Sequence, residues 1–238
     1  MQLFYAAEIE GEAGFLTESE SVHAVRVLRK KNGESIQITD GKGNLITGVI
    51  TNASPKKCTF SISSKEQVPK NRKYKLHIAL APTKNIDRYE WFLEKAVEIG
   101  IDEITPIFTA NSERKRIKPD RCERVILAAA KQSLNLHIPV FHEAVSLDAF
   151  FSQNTGGAIA YCGDETEKTA FASRLKTGSD QKTITLLIGP EGDFTPDEVQ
   201  QAAQKGFEPV TLGKARLRTE TAGVYACSIT HVLQSLSS

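Results

Sequence analysis

Long apolar runs, paired cysteines and the common nucleotide-binding loops are all missing from this 238-residue chain. No stretch approaches the roughly 18 consecutive apolar residues that a membrane-spanning helix requires. The opening residues, MQLFYAAEIEGE, lack the basic start, apolar core and small-residue cleavage site of a secretory leader. The expectation is a soluble cytoplasmic protein with no membrane partner. The four cysteines, Cys58, Cys122, Cys162 and Cys227, are far apart and form no C-x-x-C pair. That spacing signals neither a disulfide framework nor a zinc site, no metal is expected, and the thiols read as small apolar side chains. Neither G-x-x-x-x-G-K-[ST] nor G-x-G-x-x-G occurs, so the signatures of nucleoside triphosphate and dinucleotide chemistry are absent.

What is present is enough apolar material, 40% of residues, to bury a sizeable core in one large domain or two unequal ones. The net charge of +1 hides an asymmetry. Lys and Arg against Asp and Glu number 12 to 8 over residues 1–75, 10 to 9 over 76–134 and 8 to 12 over 135–238. Positive charge clusters in RVLRKK (26–31), PKK (55–57), KNRKYK (70–75) and ERKRIK (113–118). Four such clusters suit a polyanionic partner, because phosphates are drawn to them through counterion release without any sequence code.

Over residues 1–68, SIQITD, LITGVIT and CTFSIS alternate apolar and polar positions between turn signals, predicting a small antiparallel sheet or barrel. One helix interrupts it, SESVHAVRVLRKKNG, with Val22, Val25 and Leu28 as the inward stripe and His23, Arg26 and Arg29 on another face. The polar stretch KEQVPKNRKYK marks a domain boundary. Beyond it the rhythm becomes strand, helix, strand, helix: KLHIALA, IDRYEWFLEKAVEIG, EITPIF and DRCERVILAAAKQSL, then the strands GAIAYCG, TITLLIG and FEPVTLG with helical segments between and after them. Alternation of this kind predicts a mostly parallel α/β sheet covered by helices.

Two stretches near the end, LLIGPEGDF and LGKARLRTETA, each set a glycine-bearing turn directly after an apolar run. TITLLIG reads as a buried strand and GPEG as the turn leaving its carboxyl end. TPDE then starts a helix with Thr195 as N-cap, Pro196 at its first position and Glu198 closing a capping box. The second stretch repeats the plan, PVTLG being the strand and TETAGVYACSITHVLQSL the final helix, capped by Thr219. Ligands of open parallel sheets bind just beyond the carboxyl ends of the strands, so both turns are expected to line one crevice. Glu191, Asp193 and Glu220 put carboxylates where phosphates would be repelled. An uncharged or cationic small molecule fits better, with Gly189, Gly192 and Gly213 letting backbone groups approach it.

IGPEGDF followed by LGKARLRTETA and a terminal helix resembles the signature of the RsmE family, S-adenosylmethionine-dependent methyltransferases of the SPOUT superfamily that modify ring nitrogen 3 of a uridine in small-subunit (16S) ribosomal RNA. The likeness runs the whole length. HAVRVLR is similar to the family's basic N-terminal helix, APTKNIDRYEWFLEKAVEIGIDEITPIFTANSERK to its central segment, and AAAKQSLNLHIP to the stretch after it. The resemblance implies a PUA-like, RNA-binding β-barrel over residues 1–70. It implies an α/β SPOUT methyltransferase domain with a parallel sheet and a C-terminal trefoil knot over 74–238. It further implies a homodimer that holds S-adenosylmethionine at its interface and acts on 16S ribosomal RNA within an assembled small subunit. The chain departs from the family pattern where Asp193 follows Gly192 in place of a second glycine, and where Lys131 and Asn135 replace a common acid and a common arginine.

Carried onto this sequence, the resemblance gives the cofactor to Ile188, Gly189, Pro190, Glu191 and Gly192 of the first turn, and to Leu212, Gly213, Leu217, Thr219, Thr221 and Ala222 of the second. Methylation of an imide nitrogen calls for removal of its proton and for stabilisation of charge on the flanking carbonyl oxygens. Glu220 is expected in the first role and Arg218 in the second. RNA contact is expected from His23, Arg26 and Arg29, and from Lys84, Arg114, Lys115 and Arg116. The alternative is a non-catalytic RNA-binding module on a degenerate methyltransferase fold, which would keep the basic patches and fail to bind the cofactor.

Overall fold

The structure, a computed structural model, describes residues 2–6, 8–70, 72, 74–162, 168–176 and 183–236. Residues 71 and 73 of the third basic stretch, and residue 163 at the end of GAIAYCG, lie outside the described residues. Contacts divide the chain into two compact units, Met1–Asn71 with Leu127–Ile138, and Arg72–Ile126 with Pro139–Ser238.

In the first unit, β1 (Leu3–Tyr5), β2 (Ile9–Glu10), β3 (Ala13–Phe15), β4 (Ser35–Thr39), β5 (Asn44–Asn52) and β6 (Thr59–Gln67) form one sheet in the order β1-β4-β5-β6-β3-β2. The pairings from β4 through β2 are antiparallel, but β1 runs parallel to β4 with Phe4 opposite Ile38. A parallel pair needs a long crossover, and the helix between β3 and β4 is part of it. Along β5 the inward residues Asn44, Ile46, Gly48 and Ile50 alternate with half-buried ones, the period of a pleated strand. Phe60 lies so close across this face that a Cβ on Gly14 or Gly48 would sit 2.6 or 2.9 Å from its ring. Phe4, Leu16, Ile36, Ile38 and Ile46 join it in the core, each such burial contributing about 1.5–3 kcal/mol.

The helix is shorter than its sequence suggests. α1 (Glu18–Val22) begins at Thr17, whose hydroxyl accepts from the Glu20 N–H at 3.4 Å, and passes into a π-helical turn, His23–Val27, in which Leu28 N–H donates to His23 O at 3.0 Å. The wider turn moves the inward stripe. Ser21 and Ala24 are buried, Val22 and Val25 are half-buried and Leu28 is exposed, which corrects the expected Val22–Val25–Leu28 face.

Leu127–Ile138 completes this unit. Gly43 N–H donates to Leu136 O at 2.9 Å, Ile138 N–H to Gly41 O at 2.9 Å, and the His137 ring to Val68 O at 2.8 Å. Lys131 forms an ion pair with the buried carboxylate of Glu20, whose other oxygen accepts from Tyr5 N–H at 3.3 Å.

In the second unit strands and helices alternate as expected: β7 (Lys75–Leu80), α2 (Ile86–Ile99), β8 (Glu103–Phe108), α3 (Pro119–Gln132, whose residues from Leu127 on belong to the first unit), β9 (Val140–Phe141), β10 (Val145–Ser146), α4 (Leu147–Gln153), β11 (Gly157–Ala160), β12 (Thr169–Ala170), α5 (Phe171–Lys176), β13 (Thr183–Ile188), α6 (Pro196–Gln204), β14 (Phe207–Thr211) and α7 (Thr219–Ser235). The strand order is β10-β8-β7-β13-β11-β14-β12 with β9 also beside β8, and the described pairings are parallel. β13 enters between β7 and β11, so Leu186 faces Ile78 on one side and Ala158 on the other. Its near-continuous burial, like that of β7, is what a sheet covered on both faces demands. Phe150, Phe151, Leu187 and Phe207 fill one face. On the other, α7 comes so close that a Cβ on Gly223 would sit 2.5 Å from Phe92 of α2 and 2.8 Å from Leu80 of β7. Among the described residues, no helix is long and apolar enough to cross a membrane.

Candidate active site

Both glycine turns leave the carboxyl end of the parallel sheet, as the strand readings require, and they wall one cleft of about 640 Å3. The first turn is held by its own side chains. Asp193 adopts φ 60°, the left-handed region, and its N–H donates to Pro190 O at 2.9 Å. One of its carboxylate oxygens accepts from Phe194 N–H at 2.8 Å and the other from Cys162 N–H at 2.6 Å, at the end of β11. Aspartate therefore takes the backbone geometry that a second glycine would supply, since a short polar side chain tolerates this region, and it adds a tie to the neighbouring strand. Glu191 accepts from Lys84 N–H at 3.0 Å, and Asn111 Nδ2 donates to Gly192 O and Asp193 O at 2.9 and 3.1 Å. The helix start is as the sequence predicts, with Thr195 as N-cap, Pro at the first turn and Glu198 completing the capping box.

In the second turn, Gly213 has φ 116°, which L side chains rarely adopt, and its N–H donates to Thr211 Oγ1 at 3.1 Å. Arg218, not Thr219, is the N-cap residue of α7 and makes no side-chain cap bond. The buried Thr219 hydroxyl instead donates to Gly189 O at 3.0 Å. Thr219 is already the first residue of the helix, past the cap position, and its hydroxyl joins the two turns.

Nine of the expected cofactor residues line the cleft: Ile188, Gly189, Pro190, Glu191, Leu212, Gly213, Leu217, Thr219 and Ala222. Gly192 and Thr221 do not; Gly192 packs on Asn111, where a Cβ would sit 3.1 Å from the asparagine Cβ. Tyr161, Cys162, Lys214 and Arg216 line it as well, and the sequence reading missed them. Tyr161 and Cys162 follow β11, whose place between β13 and β14 brings them to the same edge. The Cys162 thiol is pushed up by burial and by the nearby Asp193 carboxylate. Among the described residues, no group of three or more His, Cys, Asp or Glu side chains could hold a metal ion.

The two expected catalytic residues part company. Arg218 is exposed and lines the cleft, while Glu220 is buried and does not. Glu220 Oε1 lies 3.8 Å from Arg88 Nε of α2, and its Oε2 has no hydrogen-bond partner among the described residues.

Three of the expected RNA residues knit the loops beside the cleft. Arg114 donates from Nε to Thr83 O at 3.0 Å and from its terminal nitrogen to Lys84 O at 2.7 Å. Lys115 Nζ donates to Thr109 O at 3.3 Å. Lys84 Nζ is 2.8 Å from Glu113, which raises the lysine pKa. Arg116 is exposed. In the first unit Arg26 and Arg29 are exposed, and His23 packs edge-on against Phe4 with ring centroids 6.1 Å apart.

Known proteins match this architecture. A family model described as the RNA methyltransferase domain covers residues 70–231, and one described as the RNA methyltransferase PUA domain covers residues 16–63. The ribosomal RNA small subunit methyltransferase E of Mesomycoplasma hyopneumoniae is 28% identical over 94% of this chain and 96% of its own. That of Buchnera aphidicola is 30% identical over 89% of this chain and 85% of its own. Among solved structures, a Porphyromonas gingivalis protein described as an rRNA methyltransferase superposes with a TM-score of 0.88 at 40% identity over 100% of both chains. A Legionella pneumophila methyltransferase, solved with the cofactor SAM bound, superposes with a TM-score of 0.84 at 26% identity over 98% of both.

Proposed function

This chain belongs to the ribosomal RNA small subunit methyltransferase E family, and on that premise we propose that it methylates ring nitrogen 3 of a uridine in 16S ribosomal RNA, using S-adenosylmethionine. The observation that carries the reading is one cleft of about 640 Å3 bounded by two linked glycine turns and reached by Arg218. Its size is that of a small-molecule site.

The lining fits the cofactor. Ile188, Leu212, Leu217 and Ala222 give it apolar walls, the turns offer backbone donors and acceptors, and Glu191 and Asp193 favour a sulfonium cation. When bound, S-adenosylmethionine supplies an electrophilic methyl group. Arg218 stabilises the negative charge that builds on the uracil carbonyl oxygens as the N3 proton leaves. Glu220, expected as the base, acts in this reading as a positioning residue that sets the first turn of α7, and with it Arg218, against Arg88 of α2. Thr219 holds the two turns in register.

The first unit binds RNA as a PUA-like domain, supported by exposed Arg26 and Arg29. The active form is a homodimer, supported by Trp91 on α2 and Tyr225 and Val232 on α7, large apolar side chains left 43%, 45% and 53% exposed on two helices that pack together. A trefoil knot is supported by the insertion of β13 between β7 and β11 and by the bond returning from α7 to the β13 turn. The substrate is an assembled small subunit in the cytoplasm. Reverse transcription of 16S ribosomal RNA tests the reaction, because a methyl on N3 blocks the pairing edge and stops the polymerase. Cells lacking the protein should lose one such stop and regain it on complementation; an identical pattern of stops with and without the protein would sink the assigned reaction.

A further inference from the structure

A second cavity, of about 520 Å3, lies beside the loop that follows β8. Its lining includes Phe108 at the end of β8, Phe141 of β9, Lys115 and Arg116 of the loop, Glu123 of α3 and Glu143. Both phenylalanines are half-buried and line the cavity. The cations differ in their commitments. Arg114 and Lys115 donate to backbone carbonyls of the surrounding loops, whereas Arg116 has no hydrogen-bond or ion-pair partner among the described residues. Glu123 and Glu143 are exposed acceptor-only groups at the same cavity.

The loop also reaches the cofactor cleft. Ala110 N–H donates to Glu198 Oε1 at 2.8 Å, and Asn111 Nδ2 donates to the carbonyls of Gly192 and Asp193 in the first glycine turn. One short loop therefore touches the wall of the methylation cleft at its start and carries an uncommitted guanidinium beside two aromatic rings further on.

We propose that this cavity takes one unstacked nucleotide of the RNA near the methylated uridine, its base against Phe141 and Phe108 and its phosphate on Arg116. The inference rests on the RNA methyltransferase reading. Recognition of single-stranded RNA commonly pairs an aromatic surface for the base with a cation for the backbone. The two carboxylates refine the choice of base. They accept hydrogen bonds from exocyclic amino groups and repel carbonyl edges, so the cavity favours an amino-bearing base over uracil.

The test uses the full chain with S-adenosylmethionine and measures fluorescence anisotropy of short fluorescein-labelled oligoadenylate and oligouridylate. The wild type should bind oligoadenylate more tightly. Arg116→Ala should weaken both about tenfold and lower the salt slope by about one phosphate contact. Phe141→Leu, which keeps an apolar residue on β9, should weaken both by a similar factor, and Phe141→Trp should restore affinity. Changing Glu123 and Glu143 together to Gln should erase the preference for adenine. Cofactor affinity, read by calorimetry, should stay unchanged, which separates loss of the RNA contact from misfolding. Folded Arg116→Ala and Phe141→Leu proteins that bind both oligomers as the wild type does would overturn the proposal. If oligoadenylate binding responds as expected but the wild type methylates no ribosomal RNA, the nucleotide cavity stands and the assigned reaction falls.

Discussion

Thr219 donates its hydroxyl to the carbonyl of Gly189 at 3.0 Å, and both residues are buried. A helix residue after β14 thus holds the end of β13, and the cleft is lined by both of the turns so joined. Thr219→Val keeps the shape but leaves the Gly189 carbonyl without this donor, a loss of about 1–3 kcal/mol. Calorimetry should show weaker S-adenosylmethionine binding with the fold intact by circular dichroism, and Thr219→Ser should recover most of it. Wild-type affinity in Thr219→Val would mean that the bond does not shape the cleft.

Arg218→Ala should lower single-turnover methylation of small subunits by roughly 10²-fold or more, the effect expected on removal of one electrostatic contact to developing charge. Arg218→Lys should recover part of the rate. Cofactor affinity should change little.

Glu220 and Arg88 give a sharper comparison, being 3.8 Å apart. If Glu220 positions Arg218, Glu220→Gln and Arg88→Ala should slow methylation by similar factors, and raising the pH should rescue neither. Selective rescue of Glu220→Gln at high pH, where more uracil is already deprotonated, would make Glu220 the base and overturn its positioning role.

Lys131 pairs with the buried Glu20. Removing one member of a buried ion pair strands the other charge, at a cost of about 3–5 kcal/mol. Urea unfolding of Lys131→Met should show a loss of that order, and Lys131→Glu a larger one. The double exchange Glu20→Lys with Lys131→Glu should regain part of it. Additive losses in the double variant would show that the two side chains are not coupled.

Acid should destabilise the second unit through His77. Burial holds its imidazole down at about 4, against the opposing pull of Glu103 and with the reinforcement of His142, while its ring lies 2.7 Å from Thr105 Oγ1. Unfolded, the same group titrates near 6.5. Between these values the unfolded chain binds the additional proton, so the contribution is full above about 6.5 and falls away as the pH drops towards 4, by on the order of 3 kcal/mol. Urea midpoints across this range should fall less steeply in His77→Gln. Equal slopes in the two proteins would remove His77 from the acid sensitivity.

The parts of the site visible in the sequence are those set by local chemistry. Thr195, Pro196 and Glu198 announce the start of α6 because a capping box needs only neighbours along the chain. The two glycine turns follow apolar runs, and a parallel sheet places such turns at one edge. Tyr161 and Cys162 were missed because their place in the cleft depends on β11 lying between β13 and β14, a property of strand order. Thr219 reads as a cap by type, yet α7 begins one residue earlier than that reading requires, with Arg218 at the cap and the Thr219 hydroxyl donating to a carbonyl thirty positions earlier. The burial of Glu220 likewise depends on α2, far away in sequence. In the first helix, nothing local signals the π-helical turn at His23–Val27 that rotates Leu28 outward.

Leu127–Ile138 belongs to the same compact unit as the first 71 residues. Its bonds to Gly41, Gly43 and Val68, and the Lys131–Glu20 pair, are contacts that a nascent chain cannot make until the segment has been synthesised. The N-terminal unit is thus completed during translation only after most of the intervening sequence has left the ribosome. A gene truncated after codon 70 would encode the sheet without its closing segment, leaving the Glu20 carboxylate without Lys131. For the same reason, a fragment starting at residue 74 would carry Leu127–Ile138 with no sheet to bind it.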